Sequence, residues 1–97
     1  MKGYWIALYN KIEDQNNLSK YAESATKAIY KYGGRAIVRG GDYQCLEGVN
    51  FPRTVIWEFP TYEKALECHN SKEYQDAWSQ AKGTTSRNLQ ICRQFSN

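Results

Sequence analysis

Ninety-seven residues with thirteen lysines and arginines against ten aspartates and glutamates carry a formal net charge of +3. That length makes one domain, residues 1–97, which buries about two-thirds or less of its unfolded surface, so a second copy would add to a thin margin of stability. The charges are interspersed without a basic block and no apolar run approaches the roughly eighteen residues of a membrane span, so neither a nucleic-acid nor a membrane partner is expected.

Three cysteines, Cys45, Cys68 and Cys92, are an odd number without C-x-x-C spacing. They argue against a disulfide framework or a zinc site and read as small buried hydrophobes of a reduced, cytoplasmic protein. The chain runs directly into strand-like residues. Tyr4 to Tyr9, bounded by Gly3 and Asn10, is apolar and aromatic and predicts a first strand. Asp14 can cap a helix on which Leu18, Tyr21, Ala22, Ala25, Ala28, Ile29 and Tyr32 recur at the spacing of one apolar stripe, and Gly33-Gly34 ends it. Arg35 to Arg39 is β-rich, Gly40-Gly41 reads as a bulge or bend, and Tyr43 to Glu47 continues the pattern, so the second strand is expected to be long and kinked.

Gly48 to Pro52 turns the chain into Arg53 to Phe59, which completes a hairpin before Pro60 stops it. Thr61 caps a second helix with Tyr62, Ala65, Leu66 and His69 on its stripe, and Ser71 caps a short third one with Tyr74, Ala77, Trp78 and Ala81. Gly83 to Ser86 is a loop, and Asn88 to Phe95 closes the chain as a strand with Leu89 and Ile91 on one face. The order is the βαββαβ of ferredoxin-like folds: an α+β class with an antiparallel sheet. Helices on one side should leave the other face polar, yet Tyr4, Ile6 and Leu8 lie opposite Trp5, Ala7 and Tyr9, and Ile56 lies opposite Val55 and Trp57. The second face therefore needs a cover, and a homodimer through that face is the simplest one.

The candidate site is the middle of the chain. Arginine is always charged and offers a planar fork of donors, so Arg39 and Arg53 beside apolar strands must meet a carboxylate, a phosphate or water. Together they could clamp a carboxylate or enolate; alternatively Arg39 pairs with Glu47 or Glu58 and Arg53 closes a hairpin-end ion pair. Glu58, inside an apolar strand, is a candidate general base unless an arginine holds it charged, and Glu47 is a turn-end partner for an arginine. Trp5 and Tyr21 are candidate walls of an apolar pocket, while Trp57 and Trp78 are assigned to the dimer interface and core. His69, the only histidine, reads as a helix-end residue, and nothing accompanies it to make a metal site or a serine triad.

Lys2-Gly3-Tyr4-Trp5, Gly33-Gly34-Arg35, Arg39-Gly40-Gly41, Leu46-Glu47-Gly48, Pro52-Arg53, Glu58-Phe59-Pro60 and Ser71-Lys72-Glu73-Tyr74-Gln75 together resemble the uncharacterised bacterial family catalogued as domain of unknown function thirteen-thirty, from about Lys2 to Cys92. The resemblance implies a dimeric α/β barrel in which two ferredoxin-like subunits pack sheet against sheet, each with a small cleft between sheet and helices. The superfamily it implies holds cofactor-independent monooxygenases, haem-degrading enzymes, muconolactone isomerases and stress-responsive barrels, so it fixes no single chemistry. Two departures from the family pattern stand out: Phe51 where a tryptophan is usual, expected to alter the pocket rim, and Gln15 where a proline often follows the cap, expected to matter only at the helix start.

The functional expectation is a small-molecule-binding dimer. It is either a cofactor-independent, monooxygenase- or isomerase-like enzyme acting on a small organic acid or an enolisable or aromatic compound, or a non-catalytic ligand-binding or stress-related protein. Catalysis would fall to Glu58 and Arg39, and ligand binding to Arg39, Arg53, Glu47, Tyr21 and Trp5, with no metal and no cofactor. RNA recognition is disfavoured because Arg53-Thr54-Val55-Ile56-Trp57-Glu58-Phe59 lacks the glycine-aromatic signature and a dimer would cover the sheet.

Overall fold

A computed structural model describes residues 1–96. Seven elements follow one another: β1 (Gly3–Ile12), α1 (Gln15–Lys31), β2 (Arg35–Arg39), β3 (Arg53–Phe59), α2 (Tyr62–Asn70), α3 (Lys72–Trp78) and β4 (Thr85–Arg93). The strands form one sheet in the order β2-β3-β1-β4 with every neighbouring pair antiparallel, which is the ferredoxin-like α+β arrangement.

Local chemistry sets the ends of each helix. The Asp14 carboxylate accepts from the backbone N–H groups of Asn16 and Asn17 at 2.9 and 3.1 Å and starts α1. At the other end Gly33, at φ 85°, lets its own N–H reach the Tyr30 carbonyl and that of Gly34 reach the Ile29 carbonyl, a Schellman closure that needs a residue free to adopt a left-handed conformation. The hydroxyls of Thr61 and Ser71 accept from the Lys64 and Tyr74 amides and begin α2 and α3. Leu18, Tyr21, Ala25, Ala28 and Ile29 bury one face of α1 against Trp5, Trp57 and Phe59 of the sheet and Tyr74 and Ala77 of α3. α2 lies close over β1, whose Gly3 is set against the α2 backbone: a Cβ there would stand 2.6 Å from the Tyr62 Cα.

Three expectations need correction. β2 stops at Arg39, and Tyr43–Glu47 is not strand: Gly40 and Gly41, at φ 68° and 88°, turn the chain out of the extended path before it can pair. The break in strand register falls between Ala36 and Val38, ahead of the glycines. β4 begins at Thr85, three residues before Asn88, because Thr85 and Ser86 pair antiparallel with Ile12 and Lys11 beyond a one-residue register shift after Tyr9. Of the cysteines only Cys68 is buried; Cys45 and Cys92 are exposed.

Candidate functional site

Residues paired across an antiparallel sheet share a face, so the register sorts the side chains. Trp57, Trp5 and Ile91 form one row under the helices, Val55, Ala7 and Leu89 the next, and Arg53, Tyr9 and Arg87 the third. Arg39 joins the second row only because of the bulge. Ala36 opposes Trp57 on the helix face, strict alternation would bring Val38 to that face too, and the extra residue Ile37 instead turns Val38 outward with Ile56 and Arg39 inward with Val55.

Between these rows and α1 lies a cavity of about 270 Å³. The α1 residues facing it include Ser19, Ala22, Ala25 and Thr26, too short to fill the gap that larger side chains would close. Trp5, Tyr9, Tyr21 and Trp57 supply aromatic walls, and Arg39, Arg53 and Arg87 supply charge; among the described residues no aspartate or glutamate lines it. None of the three arginines has an ion-pair partner among the described residues. Arg39 stands over the Trp57 ring at 5.6 Å. The Arg53 guanidinium lies against Gly40, where any side chain would collide with it, so the glycine is the condition for that arginine's position.

Arg87 is the most enclosed of the three. One of its terminal nitrogens donates to the Tyr9 and Tyr21 hydroxyls at 3.2 and 3.1 Å and the other to the Tyr74 hydroxyl at 2.6 Å. Its guanidinium stacks 3.8 Å over the Trp78 ring. The Tyr21 and Tyr74 hydroxyls are 2.8 Å apart. Burial holds the Tyr21 phenol well above its ordinary 10.0, with Tyr74 adding to the effect and Arg87 opposing it, and burial likewise raises Tyr74. Both phenols are therefore neutral at ordinary pH. Burial opposes the charge on Arg87, but the surrounding tyrosines outweigh it and the guanidinium stays protonated.

Of the six residues singled out from the sequence, Arg39, Arg53, Tyr21 and Trp5 meet at this cavity. Glu58 and Glu47 do not line it. Glu58 points to the opposite face of the sheet, where Lys2 Nζ at 3.1 Å and Arg35 Nε at 3.3 Å pair with its carboxylate; the Lys2 bond foremost, and Arg35 with it, lower its pKa from the ordinary 4.5. Glu47 sits in the exposed loop between Arg39 and Arg53. Trp57 is buried under the helices and not on the outer face, and Gln15 lines the cavity while Phe51 does not, the reverse of what their positions suggested. His69 packs against Trp5 and Tyr74 at 5.7 and 5.5 Å between ring centres, and burial pushes the neighbouring Cys68 thiol up to about 12, too high for a thiolate nucleophile. No cluster of His, Cys, Asp and Glu able to hold a metal occurs among the described residues.

Arg87 was missed by sequence reasoning. It falls in the polar stretch Thr84-Thr85-Ser86-Arg87-Asn88, which reads as loop, yet counting back by twos from Ile91 and Leu89 puts it on their face.

The sequence profile of one family, described as a domain of unknown function, DUF1330, matches residues 2–95. The chain belongs to the DUF1330 family. No curated protein matches it. Among solved structures similar to this DUF1330 chain is the methylated form of a Rhodopseudomonas palustris protein of unknown function, 13% identical, with 98% of this chain and 82% of that one covered and a TM-score of 0.80. A dimeric ferredoxin-like protein of unknown function from Thermobifida fusca is 12% identical over 97% of this chain and 92% of its own, with a TM-score of 0.56. A proposed antibiotic biosynthesis monooxygenase from Caulobacter crescentus is 6% identical over 98% and 91%, with a TM-score of 0.61. At such identities the likeness establishes the fold of this DUF1330 protein and nothing of its chemistry.

Proposed function

We propose that this protein is a homodimeric barrel that binds a small organic anion with an apolar or aromatic body. The observation that carries the reading is the cavity itself: three guanidiniums and aromatic walls in one half-open space, with no carboxylate lining it among the described residues. A fork of donors without a carboxylate of its own is a binding site for a carboxylate or enolate, and about 270 Å³ restricts the occupant to a small molecule.

The dimer rests on the other face of the sheet. Tyr4, Ile6, Leu8 and Ile56 are only half-covered there, Val38 is exposed beside them, and the 40–52 loop holds out Leu46 and Val49 at 83% and 71% exposure. Such a surface suits a second copy of the chain, and the Thermobifida neighbour is described as dimeric. The protein works in the cytoplasm, where the exposed thiols of Cys45 and Cys92 stay reduced.

A cofactor-independent enzyme on the same site is the second reading, favoured by the monooxygenase description of the Caulobacter neighbour. In it Arg39 and Arg53 hold the anion and Tyr21, whose hydroxyl meets both Tyr74 and Arg87, moves the proton. Glu58, ion-paired across the sheet, takes no part.

The test is a thermal-shift series with benzoate, phenylacetate and hexanoate on wild type and Arg53→Ala. Ligand at about a hundred times its Kd adds about 2.7 kcal/mol to stability, so a rise in Tm in wild type that Arg53→Ala abolishes supports the anion site. Equal behaviour of the two proteins removes Arg53 from it, and conversion of any stabilising ligand, read by mass spectrometry, distinguishes enzyme from carrier.

A further inference from the structure

The site has two cationic ends. Arg53, Tyr9 and Arg87 are successive partners across three strands, so the Cα atoms of the two arginines stand two strand spacings apart, about 10 Å. Arg39 flanks Arg53 from the next strand. The guanidinium pair at the β2–β3 end is thus separated by the tyrosine row from the Arg87 end.

The Arg87 end has too few acceptors for its donors. Three phenols bring three hydroxyl protons, and the contact between Tyr21 and Tyr74 uses one. The oxygens of Tyr9, Tyr21 and Tyr74 already accept from Arg87, and among the described contacts the two remaining hydroxyl protons have no acceptor. Arg87 carries five N–H donors, of which three are spent on these neutral oxygens. Tyr74 lies behind the cavity wall, whereas Tyr9, Tyr21 and Arg87 line it. When Tyr74 donates to Tyr21, the Tyr21 proton is left for the cavity, beside that of Tyr9. A group that neutralises Arg87 and accepts from two phenols is an oxyanion.

We infer that the ligand is a dianion, a short dicarboxylate with an apolar middle, whose one carboxylate lies between Arg39 and Arg53 and whose other meets Arg87 with the Tyr9 and Tyr21 hydroxyls. This rests on the anion-binding reading of the cavity and narrows its occupant. The aromatic walls between the two ends cover the methylene or ring carbons, and the three positive charges leave room for two negative ones without a counter-charge from the protein.

Calorimetric titration of the wild type with glutarate, adipate and pimelate, each against the monocarboxylate of equal carbon number, tests it at one fixed ionic strength. A second charged head with charge-assisted hydrogen bonds is expected to tighten binding by about ten- to a hundredfold for the chain length that spans the site. Arg87→Met should reduce that ratio to about one. Because Arg87 is partly buried, Tyr9→Phe and Tyr21→Phe, which keep the rings and remove one hydroxyl each, provide the independent check: each should lower the ratio several-fold with an unchanged circular dichroism spectrum. Dicarboxylates and monocarboxylates that bind equally well overturn the two-headed ligand and leave the anion cavity standing. A preference that survives the phenylalanine substitutions also overturns it, and binding of neither class overturns the cavity reading itself.

Discussion

The two faces of one four-stranded sheet treat charge in opposite ways. On the outer face Glu58 sits between Lys2 and Arg35, and each charge there has its partner. On the inner face Arg39, Arg53 and Arg87 share a cavity with aromatic rings and, among the described residues, no carboxylate. An ion pair at a surface contributes little and has nothing further to bind, while arginines held over tryptophan rings and against phenol hydroxyls keep their charge available to an incoming anion. Residue type alone does not separate the two cases; the register that decides which residues share a face does.

The largest expected contrast is in stability. Trp5, 1% exposed and packed on Phe59, Tyr74 and His69, anchors the inner face, and Trp5→Ala should cost about 3–5 kcal/mol in denaturant unfolding; a loss under about 1 kcal/mol would mean that the inner face is not the core. Next comes the outer face. Ile56→Asp sets a carboxylate between the half-covered Ile6 and the exposed Val38, and sedimentation should show the association constant of the proposed dimer weakened by about ten- to a hundredfold, about 1.4–2.8 kcal/mol. An unaltered dimer would move the interface elsewhere.

The alkaline side is smaller again. The folded protein holds the Tyr21 phenol neutral above its ordinary 10.0, so its contribution is complete below about pH 10 and is lost as pH rises through the raised value, at up to about 1.4 kcal/mol per pH unit for one proton. Thermal unfolding between pH 9 and 12 should therefore fall less steeply in Tyr21→Phe than in wild type. The smallest effect belongs to Arg35→Met. Lowering of the Glu58 pKa stabilises the fold above the ordinary 4.5, and that contribution is lost as pH falls through the lowered value; since Lys2 is the leading cause, removal of Arg35 should only slightly flatten the acid limb of the Tm profile and leave the proposed anion binding unaffected.

The periodicity of Leu18, Tyr21, Ala25 and Ile29, the caps at Asp14, Thr61 and Ser71, and the Gly33-Gly34 stop made the helices and the ferredoxin-like order readable from the sequence, because each is a local rule. Four cavity residues, Arg39, Arg53, Tyr21 and Trp5, were also legible as candidates. Glu58 misled because a charge inside an apolar strand looks the same from either face until the register is known; its partners come from β2 and from Lys2 at the chain start, 23 and 56 positions away. Arg87 stayed hidden because its strand begins in residues of loop-like composition and its partners Tyr9, Tyr21 and Tyr74 come from three other elements. The end of β2 was misjudged because two glycines in the left-handed region outweigh the strand preference of the residues after them.

The extra residue in β2 has a consequence for the charge of the pocket wall. Arg39 reaches the cavity through a bulge, one residue more on β2 than on β3 between Ala36 and Val38. Deleting Ile37 would remove the bulge and leave Val38 opposite Ile56 and Arg39 opposite Val55, with the guanidinium still on the cavity side. Regular pairing with Ile37 retained would instead put Val38 on the cavity wall and Arg39 outside, so on this edge strand the bulge, and not the number of residues alone, decides whether an arginine or a valine faces the cavity.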